Sequence, residues 1–174
     1  PLSGKAEVKF GFVGKYTTSP STSRATGAAN AKDPVATEAF GTASDIGRLR
    51  VQDVDESGLS TDFKSMTITI KNNTVAEKVL GVLGAKYVNA GNLEVDIDTE
   101  LIFSNANVID RIVNNKTVGL DAVLLNGDGG FCFDLPSSTI GSGKRNIKQN
   151  ESVTLQTKFE SFGDANLGCS FAVS

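Results

Sequence analysis

The sequence predicts a mainly β fold, a β-sandwich or distorted barrel with one short α-helix packed at its side. Three observations carry this expectation. Apolar and polar residues alternate with period two in seven or eight separate segments, as in strands whose successive side chains point to opposite faces. Gly, Ser, Thr, Asn and Asp are plentiful, which supplies turns rather than helical bundles. Only one segment carries strong helix signals, and no internal repeat of about 20–50 residues is visible. At 174 residues the chain fits one domain, 1–174, and can bury a sizeable core.

Taken in order, Ala6, Val8, Phe10 and Phe12 alternate with Glu7, Lys9 and Gly11, which predicts an opening strand. Residues 17–44 change character: Ser, Thr, Ala and Gly dominate, with Pro20 and Pro34 and no apolar period. This is a long loop, either a plain flexible insertion or a segment that a partner holds. Leu49 and Val51 then alternate with Arg48, Arg50 and Gln52 in a strand over Ile46–Val54, and Glu56-Ser57-Gly58 reads as a turn. The next strand lies within Phe63–Lys71, with Ile68 and Ile70 on one face and Thr67 and Thr69 on the other.

The strong helix signal follows. Thr74 with Glu77 three residues on forms a capping box, Val75, Val79, Leu80, Val82 and Leu83 supply an apolar side, and Gly84 can stop the helix. About ten residues cannot hold a helix alone, so it must pack on a sheet. A weaker helix candidate runs from Asn107 to Val113. Asp121–Asn126 and Phe131–Leu135 flank a glycine-rich link and predict a hairpin, with Pro136 ending its second strand. Val153–Phe162 and Leu167–Val173 form a final pair turned through Gly163-Asp164-Ala165-Asn166.

One strand stands apart. In Leu93–Phe103, Leu93, Val95, Ile97, Thr99, Leu101 and Phe103 share one parity, and Glu94, Asp96, Asp98 and Glu100 share the other. At about 3.3 Å per residue the run spans roughly 36 Å, twice an ordinary strand. A lone subunit gains nothing from four like charges at roughly 7 Å spacing, so the row asks for an explanation outside the subunit. It is either a solvated outer face that discourages edge-to-edge aggregation, or a surface that meets a polyanion without binding it.

Absences narrow the chemistry. There is no histidine and there are two cysteines, so the usual zinc sets and the Ser-His-Asp and Cys-His arrangements cannot be assembled within one chain. Asn126-Gly127-Asp128-Gly129-Gly130 lacks the further ligands and closing Glu of a calcium loop and reads as a hairpin turn. Gly141-Ser142-Gly143-Lys144-Arg145 lacks the first glycine of a phosphate loop and reads as a mobile surface loop. Paired carboxylates could suggest a glycosidase, but four on one exposed face in a chain without tryptophan make a poor sugar site. No metal, no cofactor and no enzymatic activity are expected. The net charge of −3 gives no broad basic footprint for nucleic acid. No apolar run approaches a membrane span, and residues 1–8 do not read as a secretory signal. Cys132 and Cys169 read as reduced core thiols.

The order of elements carries a resemblance. A T-I-T-I-K-N-N strand enters V-A-E-K-V-L-G-V-L-G-A; then come the long alternating strand, a hairpin, F-D-L-P at Pro136, and F-E-S-F-G-D-A-N-L-G-C-S-F-A-V. Over about residues 46–174 this resembles the tail tube proteins of long-tailed bacteriophages, of the non-contractile siphovirus type. The resemblance implies a β-sandwich subunit of the virion tail, assembled in the host cytoplasm into hexameric rings. The rings stack into a conduit for viral DNA ejection, with inner strands joined across subunits. It implies the tape-measure protein and DNA as partners in the lumen, and tip, baseplate and terminator proteins at the ends. Glu94, Asp96, Asp98 and Glu100 would face that lumen and repel DNA. The long loop would bridge successive rings, with Thr17, Arg24, Lys32 and Phe40 as its contact candidates. A tail terminator or capsid decoration protein of the same fold is the alternative, and a secreted β-sandwich adhesin or binding module a more distant one.

Overall fold

The computed structural model describes residues 4–15, 38–53, 56–59, 62–102, 107–166 and 171–173. Among them are β1 (Ile46–Asp53), β2 (Glu56–Leu59), β3 (Asp62–Lys71), β4 (Val75–Lys78), β5 (Ala85–Asn89), β6 (Glu94–Ile102), α1 (Asn107–Val113), β7 (Thr117–Asn126), β8 (Gly129–Asn146), β9 (Thr154–Ser161) and β10 (Ala172–Val173). The chain divides into two compact units. Pro1–Glu7, Ala39–Lys71 and Glu94–Ser174 make the first, and Val8–Glu38 with Asn72–Leu93 make the second.

The first unit is one mainly antiparallel sheet in the order β2-β1-β7-β8-β9-β6-β3, with β10 also on β8. β8 organises it. Its first part, up to Thr139, pairs with β7, and its second part, from Ser138, pairs with β9. One strand of 18 residues thus belongs to two half-sheets. Both halves feed one core: Val51, Val118, Leu120 and Leu135 from the first, Val95, Ile97, Leu101, Ile140, Leu155 and Phe159 from the second. Each such side chain stabilises the fold by about 1.5–3 kcal/mol on burial. The expected mainly β fold with one short helix is what the chain adopts.

The helix is α1, the weaker candidate. Ile112 packs against the core cluster, and its Cδ1 lies where a Cβ at Gly143 would come within 2.6 Å, so the helix seats closely over β8 and a larger residue there would displace the Ile112 side chain. Asn115, at φ 47°, ends it in the left-handed conformation while Lys116 N–H donates to the Arg111 carbonyl at 3.0 Å.

Several expectations are overturned. Residues 74–84 are not helical: they contain β4 and the turn that leads to β5 in the second unit's ribbon, with Val75 opposite Asn89 and Ala76 opposite Val88. Gly81 (φ 82°) and Gly84 (φ 96°) turn the chain in conformations a helix interior never uses. The three valines there are also poor helix formers. Gly141–Arg145 is not a loop but the β9-paired end of β8. Pro136 does not end its strand. The β7–β8 register shifts between Val118/Ser138 and Leu120/Leu135, so Pro136 sits in an irregularity where no ladder N–H is required of it.

Glu56–Gly58 belongs to β2 rather than a turn. The strand expected from Ala6, Val8, Phe10 and Phe12 is not among the named strands of the described residues, where Lys5 forms an isolated bridge with Gly41. The closing pair does not form as expected, because β10 pairs with β8 and not with β9. Phe103 and Leu167–Ser170, Cys169 included, lie outside the described residues. Cys132 is a half-buried free thiol.

Candidate functional site

The period-two pattern of β6 is realised. Val95, Ile97, Thr99 and Leu101 are buried in the core, where the Thr99 and Thr157 hydroxyls share a hydrogen bond of 2.6 Å. Glu94, Asp96, Asp98 and Glu100 lie on the opposite face, but not as a bare acidic row. β3 and β9 flank β6, and their registers set Lys71 beside Glu94 and Lys158 beside Asp98.

Asp96 is the centre of this face. It is only 6% exposed and lies between two ammonium groups, Lys71 Nζ at 2.8 Å and Lys158 Nζ at 3.3 Å. The Lys71 hydrogen bond, with Lys158 behind it, holds the Asp96 carboxyl below its ordinary range against the opposing effect of burial. The same contact raises Lys71, helped by Glu94, and raises Lys158. Lys71 also reaches Glu94 at 3.3 Å, Lys64 reaches Glu100 at 3.4 Å, and Lys158 reaches Glu160 at 3.5 Å. Asp98 is exposed and makes no ion pair among the described residues. It lines, with Thr67, Glu100, Lys144, Gln156 and Lys158, an open depression of about 460 Å³. β3, β6, β9 and the β9-paired part of β8 carry six carboxylates (Asp62, Glu94, Asp96, Asp98, Glu100, Glu160) and five cations (Lys64, Lys71, Lys144, Arg145, Lys158), a surplus of one negative charge.

The structure therefore corrects the reading that the row has no explanation inside the subunit. The lysines answer it. Lys158 shares parity with Gln156 and Glu160 in β9, so its face was legible; its neighbour on β6 was not. A second ion cluster went unpredicted: Asp121 of β7 is buried and accepts from Arg48 Nε at 2.9 Å and Arg50 Nε at 2.7 Å, on β1. Among the described residues no group of three or more His, Cys, Asp or Glu could hold a metal ion, and no described helix is long and apolar enough to cross a membrane.

Of the loop candidates, Thr17, Arg24 and Lys32 lie outside the described residues. Phe40 is at the loop's root, its ring edge-on to Phe131 at 5.7 Å. There Gly4–Ala6 clasps Phe40–Thr42: Ala6 N–H donates to the Phe40 carbonyl at 2.9 Å and Thr42 N–H to the Gly4 carbonyl at 3.0 Å. Gly41 N–H donates to Asp45 at 2.6 Å, which lowers that carboxyl, with Ser44 assisting.

The family described as phage tail tube protein matches residues 1–162. Three solved structures share the fold at low identity. The SPP1 tail tube aligns at 12% identity over 67% of this chain and 72% of its own, with a TM-score of 0.52. A chain of the native gene transfer agent virion aligns at 13% identity over 72% and 95%, with a TM-score of 0.51. The tail of the empty gene transfer agent particle, with C6 symmetry, aligns at 14% identity over 72% and 93%, with a TM-score of 0.52. No curated protein sequence matches significantly.

Proposed function

The chain belongs to the phage tail tube protein family, and from that premise we propose that six copies close into a ring by pairing sheet edges and that rings stack into a DNA conduit. One observation carries this reading. The half-sheet β8-β9-β6-β3 has one face in the core and one polar face, and both of its edges are open among the described residues. β3 has no partner beyond β6, and β8 has no partner opposite β9 past Thr139. Open edges invite strand addition. Pairing the β3 edge of one copy with the β8 edge of the next is a head-to-tail contact, which closes a ring when the rotation allows. The number six follows the C6 symmetry of the gene transfer agent tail.

The polar face then becomes the bore. Its carboxylates are held by lysines, so DNA phosphate meets few free cations to bind, and the unpaired Asp98 adds repulsion. Repeated six times, one surplus carboxylate per copy leaves the bore weakly rather than strongly negative. The tape-measure protein would occupy this lumen before DNA, with terminator and tip proteins at the ends. The residues act by surface charge and assembly, not by catalysis.

Negative-stain microscopy of the purified protein tests the reading: tubes are expected, single closed rings would point to a terminator of the same fold, and monomers at high concentration would overturn it. For the bore, Asp98→Lys with Glu100→Lys spares the clamped Asp96. Such phage should assemble tails but lose infectivity through failed DNA ejection; full infectivity would remove these residues from the lumen.

A further inference from the structure

The tip of the β7–β8 hairpin, Asn126-Gly127-Asp128-Gly129, serves neither the core nor the charged face, yet its groups are arranged for chemistry. Asn126 pairs with Gly129 at the end of the ladder, so Gly127 and Asp128 make the turn between them. The Asn126 carboxamide oxygen accepts from the Asp128 N–H and from the Gly129 N–H, each at 3.0 Å. The Gly127 N–H, adjacent to Asn126 in the backbone, makes no hydrogen bond among the described residues. Gly127 is exposed, and the space that a side chain would take there is empty within 4 Å. No other asparagine in the sequence precedes a glycine.

We propose that Asn126 is a self-modifying site, converted in the folded protein to a mixture of aspartate and isoaspartate by attack of the Gly127 nitrogen. That nitrogen gives its proton to hydroxide and bonds to Asn126 Cγ, closing a five-membered succinimide ring. The bond from Cγ to Nδ2 breaks, and the side-chain nitrogen leaves as ammonia after taking a proton from water, which restores the hydroxide. Water then opens the ring at either carbonyl. One opening leaves aspartate; the other routes the backbone through the side-chain carbon and leaves isoaspartate. The sum is one water consumed and one ammonia released. Negative charge in the attack develops on Asn126 Oδ1, where two N–H groups already stand at hydrogen-bonding distance. In an enclosed enzyme site one such donor contributes about 10²–10³ in rate; at an exposed turn, in high dielectric, the pair contributes roughly tenfold. Glycine at 127 leaves the nitrogen open to close approach. The two products then differ. Aspartate keeps the turn and strengthens its two hydrogen bonds with a charge. Isoaspartate adds a backbone atom at the ladder's last pair and loosens the bond from Leu125 N–H to the Asp45 carbonyl, 2.7 Å, that ties the hairpin to the loop root. Each conversion adds one negative charge to the tip, and none of it requires assembly into rings.

The purified chain, kept for weeks at neutral and at mildly alkaline pH, tests this by peptide mapping with mass spectrometry and isoaspartyl methyltransferase labelling. The peptide holding Asn126 is expected to gain, before any other asparagine peptide, the mass of an amide exchanged for an acid. Both products should appear, at a rate that rises in proportion to hydroxide and is roughly tenfold faster than for the same chain in urea. A folded rate at or below the rate in urea overturns the proposal, because the turn would then shield Asn126. Earlier conversion at another asparagine overturns it too. A Cβ at Gly127 has open space, and the backbone there lies outside the left-handed region, so Gly127→Ala should keep the melting temperature and stop conversion over the same interval. Unchanged conversion in that variant would rule out attack by this nitrogen. Asn126→Asp supplies the chromatographic standard for the aspartate product.

Discussion

The acidic strand β6 and the V-A-E-K-V-L-G-V-L-G ribbon exchange the roles that their sequences suggest. The four carboxylates look unsupported within the subunit, yet Lys71, Lys158 and Lys64 answer them from strands distant in sequence. The apolar ribbon looks like a helix with a sheet to pack on, yet Leu80 and Leu83 stand in solvent. A charge oddity is thus settled inside the fold, and an apolar segment that looked settled is left open. What a subunit leaves for its assembly is easier to see in uncovered hydrocarbon than in charge.

The largest effect that would sharpen the contrast comes from the core beneath β6. Phe159→Ala should cost about 3–5 kcal/mol in denaturant unfolding, whereas Leu80→Ser should move the same transition by no more than about 0.5 kcal/mol. A comparable loss from both would mean the ribbon is packed within the subunit after all.

The Asp96 cluster gives an intermediate effect with a pH signature. Its folded-state carboxyl lies below the ordinary 3.8, so its stabilisation is present above that value and lost as pH falls through the lowered one. Lys71 and Lys158 lie above 10.5, so theirs is present below that value and lost as pH rises past it. Melting temperature against pH should show a plateau with a fall at each end. Asp96→Asn should lower the plateau and flatten both falls, and unaltered falls would assign them to other groups. The smallest effect belongs to Lys64→Ala. Its pair with Glu100 is half exposed on the lysine side, and such pairs contribute roughly 0–1 kcal/mol. A melting curve indistinguishable from the unsubstituted protein's is expected.

The same contrast explains what was legible. Period two is local, so the strands at Arg48–Gln52, Glu94–Ile102 and Thr154–Ser161 could be read directly, together with which residues face the core. Register is not local, so nothing in L-E-V-D-I-D-T-E-L-I-F announces that Lys71 will sit beside Glu94. The helix expectation failed because a capping box at Thr74 and Glu77 is local evidence too. The glycines at 81 and 84, with no buried face to reward a helix, outweighed it. At Asn107–Val113 a weaker local signal prevailed because Ile112 had a core to reach. The acidic face was legible as a face. Its neutralisation was not, and the bore assigned to it rests on assembly rather than on the subunit alone.

β8 has a consequence for how this chain can change length. Because one continuous strand serves both half-sheets, a residue inserted within Gly129–Asn146 would invert the facing of every side chain beyond it. Ile140 would turn out of the core, and Lys144 out of the charged face. The irregularity at Pro136 already accommodates one such offset. Length variation is therefore confined to connections such as the one closed by the Gly4–Thr42 clasp, where added residues cost only slowly growing loop entropy. An insertion is thus expected to be tolerated at such a connection and not within β8.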